Sequence, residues 1–305
     1  MRSGFVSFIG RPNAGKSTLL NRIVGVKLAI VSDKPQTTRN RILGVKNYPG
    51  KAGGQVVFLD TPGIHRPLHR MNVRMVDAAL ATLREVDVLV LVVDAHERHG
   101  QGDRFVLDLL KDVRIPVLLA LNKIDLVKKS RLLPVIDRYR GELEFAEIVP
   151  LSALDGDGVE RLEQALLARL PEGDALYPED YLTDQPERFF AAEIVREKLL
   201  RHTRAELPFS SAVVVDRFDE PDEKGLMRIY CSILVEQESQ KPIVIGRRGE
   251  MIKLIGTEAR LDLERFFQAR VFLDLHVKVR SEWRDDERQL DVLGLGLSRG
   301  PHRSS

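Results

Sequence analysis

The residues with the most specific chemistry lie near the start of the chain, where Gly-Arg-Pro-Asn-Ala-Gly-Lys-Ser runs from Gly10 to Ser17. This Gly-x4-Gly-Lys-Ser spacing is typical of a loop whose backbone N–H groups surround a β-phosphate at the N-terminus of a helix. Lys16 would reach the β- and γ-phosphates, and the hydroxyl of Ser17 would ligate Mg²⁺. An apolar run at residues 5–9 and a helical pattern at residues 18–24 flank the loop, so the stretch predicts a strand, a phosphate loop and a helix.

The first half of the chain alternates apolar runs with helical patterns. Continuous apolar runs at residues 56–59, 88–93 and 117–121 are expected for parallel strands that are buried on both faces, and residues 148–151 add a shorter run. Apolar residues at helical spacing lie between these runs, for example over residues 71–86. We therefore predict a doubly wound α/β sheet, in which ligands lie at the carboxyl ends of the strands.

Two further polar motifs directly follow predicted strands. In Asp60-Thr-Pro-Gly63, the aspartate can hold Mg²⁺ through a water, and the N–H of Gly63 can meet a γ-phosphate. In Asn122-Lys-Ile-Asp125, the Asp125 carboxylate matches the N1–H and amino donors of guanine, which adenine lacks, and the stem of Lys123 covers the base. Each motif alone fits a turn or a helix cap, but their order after a phosphate loop predicts a GTP site.

The polar residues 34–39 predict a mobile loop between the first helix and the next strand. A threonine in such a loop completes the Mg²⁺ shell when the γ-phosphate is present. We choose Thr38 and keep Thr37 as the alternative; both threonines could also be ordinary turn residues.

The Ser152-Ala153 pair follows the last predicted strand, and its backbone N–H groups would meet guanine O6. The predicted nucleotide-binding residues are Gly10, Arg11, Pro12, Asn13, Ala14, Gly15, Lys16, Ser17, Thr18, Asp60, Gly63, Asn122, Lys123, Asp125, Ser152 and Ala153. The predicted Mg²⁺ ligands are Ser17, Thr38 and, through water, Asp60; the predicted catalytic residues are Lys16, Thr38, Gly63 and Asn13.

Composition limits the function classes. A length of 305 residues predicts two domains. Forty-seven Lys and Arg against 45 Asp and Glu give a formal net charge of +2, so a nucleic-acid partner must be argued from a local basic patch. The single cysteine, Cys231, excludes an internal disulfide and a cysteine-based zinc site and suits a reducing cytosol. We expect neither a signal peptide nor a membrane span, because no apolar run approaches the ~20 residues that cross a bilayer.

The second half has a different organisation. Prolines and acidic residues at 171–187 predict a linker between a domain at 1–170 and a second domain at 188–284. The second domain has a helical pattern at 188–203, alternating strands at 212–218 and 227–235, a helix after residue 249 and a final strand at 271–280. This order is that of a type II KH domain, a smaller α+β unit. Residues 285–305 predict a flexible tail, and His96, His99 and His276 are expected at the surface.

The Gly246-Arg-Arg-Gly249 segment is the predicted RNA clamp of this second domain. Glycines in a Gly-x-x-Gly turn bring the main chain close to the phosphates of a single strand, and Arg247 and Arg248 add positive charge. We read residues 244–245 as a strand edge that leads into the turn. The predicted RNA-binding residues are Ile245, Gly246, Arg247, Arg248, Gly249 and Lys253.

These motifs together resemble the Era family of bacterial GTPases. The resemblance covers residues 3–290 and is carried by residues 10–17, 35–39, 60–63 and 122–125, and in the second half by 177–181, 188–198 and 244–253. It implies a GTPase that binds GTP and GDP and hydrolyses GTP. It also implies that the protein assists assembly of the 30S ribosomal subunit and binds the 3′ end of 16S rRNA through its KH domain. The family has Gly where Arg248 stands, so this chain adds a cation to the turn.

The resemblance leaves alternatives open. Ile64 stands where many GTPases have a glutamine that orients water, so the pocket could bind guanine nucleotide without hydrolysis. Some relatives with Asn at the position of Asn13 use a K⁺ ion between the phosphates; otherwise Asn13 only braces its own loop. Family behaviour also implies peripheral contact with the inner membrane and a signalling role there. We expect a cytoplasmic monomer, with Mg²⁺ and K⁺ as its metal ions.

Overall fold

The computed structural model of this protein describes residues 1–34, 36–50, 53–64, 69–97, 99–204 and 207–295. The first domain is built on a six-stranded sheet with the order β2-β3-β1-β4-β5-β6. Its strands are β1 (Arg2–Ile9), β2 (Ile42–Tyr48), β3 (Gly54–Asp60), β4 (Val88–Asp94), β5 (Val117–Asn122) and β6 (Glu147–Pro150). Strand β2 is antiparallel to β3, and every other neighbouring pair among these strands is parallel.

Helices cover both faces of this sheet, as the sequence predicts. Helices α1 (Lys16–Val24) and α5 (Val159–Leu167) pack on one face, and α2 (Arg70–Thr82), α3 (Gln101–Leu110) and α4 (Leu132–Arg140) lie on the other. The continuous apolar strands are buried on both sides and separate two hydrophobic clusters. The edge strand β2 was not predicted, because Gly44, Lys46 and Asn47 interrupt its apolar pattern.

The linker lies against the first domain instead of crossing open solvent. The fully buried side chain of Gln55 accepts hydrogen bonds from the backbone N–H groups of Leu176 (2.7 Å) and Tyr177 (2.9 Å). Further along, the N–H of Val45 donates to the carbonyl of Leu182 (2.8 Å). The linker therefore follows the outer side of β2 and β3 toward the second domain.

The second domain has the predicted KH order. It comprises α6 (Glu187–His202), α7 (Leu207–Ser210), β7 (Ala212–Asp219), β8 (Leu226–Val235), α8 (Lys241–Ile245), α9 (Glu250–Phe267) and β9 (Arg270–Val279). Strand β8 is central, antiparallel to β7 and parallel to β9. Its alternate residues, from Met227 to Val235, are buried against α6 and α9.

One local prediction in this domain is wrong. Residues 244–245 are not a strand edge but the last turn of α8. Pro242 stands in the first turn of this helix, where its fixed φ favours helical geometry and no hydrogen bond from its nitrogen is needed. Val244 is fully buried in the core of the KH domain.

The prediction of a flexible tail from residue 285 is also wrong for the residues that the structure describes. A short helix, α10 (Glu287–Val292), begins at Asp286, whose carboxylate caps the N–H groups of Arg288 and Gln289. Leu290 is completely buried, and Leu295 is nearly so. The sequence pattern was too short to show this amphipathic turn; residues 296–305 lie outside the described residues.

The segment from Trp283 to Leu295 joins the two domains. A cluster of apolar side chains brings α2 of the first domain together with the KH sheet and the residues around α10; it comprises Met71, Met75, Ala212, Leu234, Trp283, Leu290 and Leu295. Polar contacts surround it: Arg74 forms ion pairs with Glu287 and with Asp291 (2.7 Å), and the N–H of Arg70 donates to Asp285 (3.0 Å).

His99 departs from the expected surface position. Its side chain is only 8% exposed and packs edge-on against Tyr139, with 5.3 Å between ring centroids. His96 and His276 are exposed, as expected. None of the helices in the described ranges is long and apolar enough to cross a membrane.

The buried position of Leu290 predicts a stability effect of a residue first assigned to a flexible tail. Leu290→Ala should destabilise the docked chain end by about 2–4 kcal/mol through lost burial and a cavity. Trp283, the only tryptophan, is fully buried in the same cluster, so its fluorescence during urea unfolding is the measurement. Leu133→Ala is the matched control, because that side chain is 67% exposed. Equal midpoints for both variants would contradict the docked helix.

Candidate functional site

The phosphate loop lies between β1 and α1, as the sequence predicts. Gly15 is left-handed (φ 94°) and a Cβ on it would lie 2.2 Å from the amide nitrogen of Asn122, so only glycine fits. A cavity of about 220 Å³ opens at this loop. Its lining combines the phosphate loop with the neighbouring loop and Gly63: Pro12, Asn13, Gly15, Lys16, Ser17, Thr18, Ile30, Val31, Ser32, Asp33, Gln36, Thr37, Thr38 and Gly63.

Lys16 is held inside the loop. Its ammonium group donates to the carbonyls of Gly10 (3.1 Å) and Arg11 (2.9 Å) and is almost fully withdrawn from water. Burial lowers the pKa of Lys16 to about 8, while the charge of Asp60 opposes this shift. A phosphate group in the cavity would offer this ammonium the negative charge that loop carbonyls cannot supply.

Three side-chain oxygens converge beside Lys16. The hydroxyl of Ser17 lies 2.7 Å from that of Thr38 and donates to the Asp60 carboxylate at 2.6 Å. Burial raises the pKa of Asp60 to about 6, opposed by Lys16. The second oxygen of Asp60 is buried and has no hydrogen-bond partner among the described residues. Hard oxygen ligands of this kind, with one carboxylate oxygen unsatisfied, fit Mg²⁺.

The structure distinguishes the two threonines. The Thr38 side chain faces Ser17, whereas the hydroxyl of Thr37 donates to the carbonyl of Lys34 (2.5 Å). Thr38 is thus the threonine that the fold places beside the other predicted Mg²⁺ ligands, and Thr37 stabilises the loop.

The predicted guanine-recognition segment is organised around Asn122 at the end of β5. Its amide nitrogen donates to the carbonyl of Ala14 (2.8 Å), and its amide oxygen accepts from the N–H groups of Lys123 (2.8 Å) and Ala153 (2.9 Å). Asn122 therefore joins the phosphate loop to both base-recognition segments. Asp125 is exposed, and its carboxylate pairs with no other residue in the described part of the chain.

The prediction for Ser152 and Ala153 is not met. The N–H of Ser152 donates to the carbonyl of Asp157 (2.9 Å), and that of Ala153 is taken by Asn122. Neither group is available to guanine O6 in this conformation. Sequence spacing could not show this, because both acceptors come from loop geometry.

Ile64 does not face the cavity. Its side chain is 1% exposed in the core, and its N–H donates to the carbonyl of Gly10 (3.2 Å). It therefore cannot orient water through its side chain, and its backbone N–H is already engaged.

Three aspartates that support the predicted site residues were not predicted: Asp33, Asp94 and Asp103. Asp103, at the start of α3, pairs with Arg11 (3.0 Å), and Asp94 pairs with Lys123 (2.6 Å). Asp94 ends β4 at the same sheet edge as Asp60, so its position after a buried run was a usable signal. Asn13, left-handed at φ 63°, donates to the carbonyl of Asp33 (2.6 Å) and joins the two loops.

The Gly-x-x-Gly turn forms a separate candidate site between α8 and α9. Gly246 has φ 76°, and a Cβ on it would lie 2.5 Å from Met251 Cβ, so this glycine is required. Arg247, Arg248 and Lys253 are exposed and form no ion pair with another described residue; Ile245 is half-buried. Arg248 is left-handed (φ 53°), a conformation in which an arginine costs more than the family's glycine.

Comparison with known proteins agrees with this geometry. One family model, described as 50S ribosome-binding GTPase, matches residues 5–123, and a second, described as KH domain, matches residues 206–284. The fold and site define a P-loop GTPase with a C-terminal RNA-binding KH domain. The chain is 51% identical to GTPase Era of Geobacter metallireducens and 53% identical to that of Geotalea uraniireducens, over 96% of this chain and 97% of each relative. It belongs to the Era family of GTPases.

Solved structures give the same result. The chain matches an Era variant from Aquifex aeolicus bound to GDP and AlF4⁻, with a TM-score of 0.92 and 41% identity over 96% of this chain and 99% of that one. An Era structure in complex with MgGDPNP and nucleotides 1506–1542 of 16S ribosomal RNA matches with the same score, identity and coverage.

The assignment of Asp125 predicts a change of base preference. Asp125→Asn should weaken GTP binding by about 2–4 kcal/mol, because one paired acceptor is lost, and should allow binding of xanthosine triphosphate. Affinities of both nucleotides, measured by titration calorimetry, test this. Asp137→Asn, an exposed aspartate on α4, is the control. Unchanged GTP affinity in the Asp125 variant would remove Asp125 from the base site.

Proposed function

We propose that this GTPase assists assembly of the small ribosomal subunit by binding the 3′ end of 16S rRNA with its KH domain while its first domain binds GTP. The observation that carries the proposal is the match, over 96% of the chain, to an Era structure that holds both MgGDPNP and nucleotides 1506–1542 of 16S rRNA. The exposed cations of the Gly-x-x-Gly turn support it.

The geometry of the turn suits a single-stranded backbone. The main chain at Gly246 and Gly249 can approach phosphate closely. Arg247, Arg248 and Lys253 supply positive charge, and no carboxylate among the described residues pairs with them. Base edges would be read beside the turn. Because the whole chain has a net charge of only +2, electrostatic attraction for RNA must come from local cations such as these.

The hydrolytic site assigns a task to each residue. The backbone of the phosphate loop and Lys16 bind and orient the phosphates. Ser17, Thr38 and Asp60 would hold Mg²⁺, which when bound neutralises charge on the β- and γ-phosphates. Because Ile64 is buried, water must be positioned by other groups. Membership of a GTPase family favours hydrolysis over a pocket that binds guanine nucleotide without turnover.

Asn13 is the residue that we propose for a K⁺ ion. Its amide nitrogen donates a hydrogen bond to the carbonyl of Asp33, which leaves the amide oxygen to ligate a cation. K⁺ beside the phosphates would supply the positive charge that an arginine finger gives in other GTPases. The bond to Asp33 braces the phosphate loop against the neighbouring loop and not against its own backbone, as the alternative for Asn13 had it; a brace of this kind and an ion role can coexist.

We also propose that the protein is a monomer in the cytosol. Peripheral contact with the inner membrane stays a prediction from family resemblance.

The RNA clamp gives one prediction. Changing Arg247 and Arg248 to Glu, or Gly249 to Asp, should abolish binding of an oligonucleotide with the 16S rRNA 3′ sequence and leave GTP affinity unchanged, since the turn lies in the other domain. Fluorescence anisotropy over a salt series is the measurement. The milder Arg248→Gly suits the left-handed backbone and should only reduce affinity and salt slope. Parental affinity and slope in all variants would exclude the turn as the contact.

The ion role of Asn13 gives another. GTP turnover should be faster in K⁺ than in Na⁺ at equal ionic strength, and Asn13→Ala should remove the difference while GTP binding remains largely intact. Loss of the brace to Asp33 would slow both reactions alike, so the K⁺/Na⁺ rate ratio separates the two roles. A parental protein with equal rates in both salts has no K⁺ site of this kind.

A further inference from the structure

The loop that carries Thr38 is held by the KH domain. We call residues 31–39, apart from residue 35, the switch loop. At its start, the N–H of Val31 donates to Glu197 of α6 (3.1 Å). At its end, the Arg39 guanidinium is buried in the KH domain, where it donates to the carbonyls of Pro208 (2.9 Å) and Ser211 (2.8 Å). Both ends of the loop are thus fixed by the KH domain, whereas the described residues that line the nucleotide cavity all belong to the first domain.

A third contact lies next to the Mg²⁺ ligands. The guanidinium of Arg196, on α6, donates to the carbonyl of Thr37, the peptide group that directly precedes Thr38. Glu193, one turn earlier, holds the same guanidinium through two bonds of 2.6 and 2.7 Å. Arg196 is only 3% exposed, so this donor is firmly oriented.

Two buried arginines, Arg39 and Arg196, lie close enough at this contact to repel each other. Burial lowers the pKa of Arg39 to about 9, and the positive charge of Arg196 acts in the same direction. Two arginines buried near each other are costly unless each makes good hydrogen bonds. Nη1 of Arg196 has no hydrogen-bond partner among the described residues. The bonds to Glu193 and Thr37 must therefore replace the hydrogen bonds to water that the guanidinium loses on burial. The hydrogen bond from Arg196 to Thr37 therefore restricts the position of α6 and of the loop that carries Thr38.

We propose that Arg196 is a positioning residue for GTP hydrolysis, which fixes the Thr37 carbonyl and so presents the Thr38 hydroxyl to Ser17 and Asp60. The inference rests on the assignment of Thr38 as a Mg²⁺ ligand. A loop held in this way has already lost conformational entropy that an unrestrained loop would lose on binding Mg²⁺ and the γ-phosphate. GDP gains nothing from Thr38, because it has no γ-phosphate for the loop to cover.

The coupling must act in both directions. If docking of α6 favours the bound position of Thr38, then Mg·GTP must favour docking of α6 by the same factor. The bound nucleotide thereby changes how stably the KH domain, which contains the RNA-binding turn, docks on the first domain.

The test uses the full-length protein with Mg²⁺ and compares GDPNP with GDP. Arg196→Met should weaken GDPNP binding about tenfold, the scale of one charge-assisted hydrogen bond, leave GDP affinity within about twofold, and lower turnover at saturating GTP. Arg196→Lys, which keeps a donor, should restore most of the loss. Arg201→Met is the matched control on the same helix, because that side chain is 69% exposed.

A double-mutant cycle with Thr38→Val separates the possible failures. With Thr38 removed, Arg196→Met should have no further effect on GDPNP binding. Equal loss of GDPNP and GDP affinity in Arg196→Met, or no loss of either, would overturn the positioning role while leaving Thr38 in place. Unchanged GDPNP affinity in Thr38→Val alone would instead overturn the assignment of Thr38 and the inference with it.

Discussion

The nucleotide site depends on an ammonium and a carboxylate that are both withdrawn from water where β3 ends and α1 begins. Lys16 is 5% exposed and Asp60 is completely buried. Burial lowers the pKa of Lys16 and raises the pKa of Asp60, so it favours the neutral form of each group, and each charge opposes the shift of the other. Withdrawing ions from water costs several kcal/mol each in real proteins, so such a pair persists only where partners compensate. A phosphate and a divalent cation are the partners with the right charges. The surrounding fold holds these groups ready before either arrives.

Much of this site could be predicted because its chemistry is local in the sequence. Each motif lies at the carboxyl end of a buried strand: residues 10–15 follow β1, Asp60 ends β3 and Asn122 ends β5. Parallel strands bring these carboxyl ends to one sheet edge. The failures share a cause: they depend on which loop groups meet in space. The N–H groups of Ser152 and Ala153 are used within the protein, and α10 packs because α2 offers it two methionines.

The interface residues of α6 were invisible to pattern analysis for a related reason. One side of this helix, with Ile194 and Leu199, enters the KH core. The charged run Arg196-Glu197-Lys198 also lies buried, since Glu197 pairs with Lys27 of the first domain (2.6 Å) and Lys198 with Asp262 of α9. A helix buried on both an apolar and a charged side has no simple amphipathic pattern. Read from sequence alone, its charges suggest a solvated face.

The burial of Arg39 in the KH domain also bears on how freely the two domains can be exchanged in evolution or by engineering. The linker at 171–187 marks a clean boundary along the chain, but Arg39 takes its hydrogen-bond acceptors from the backbone around α7, and its guanidinium lies 5.7 Å from the centre of the Trp283 ring. A KH domain transplanted from another protein at that boundary would have to provide the same backbone acceptors and aromatic ring for Arg39. Without them, the foreign domain would leave a buried cation unsatisfied, so the unit of inheritance is the pair of domains and not either one alone.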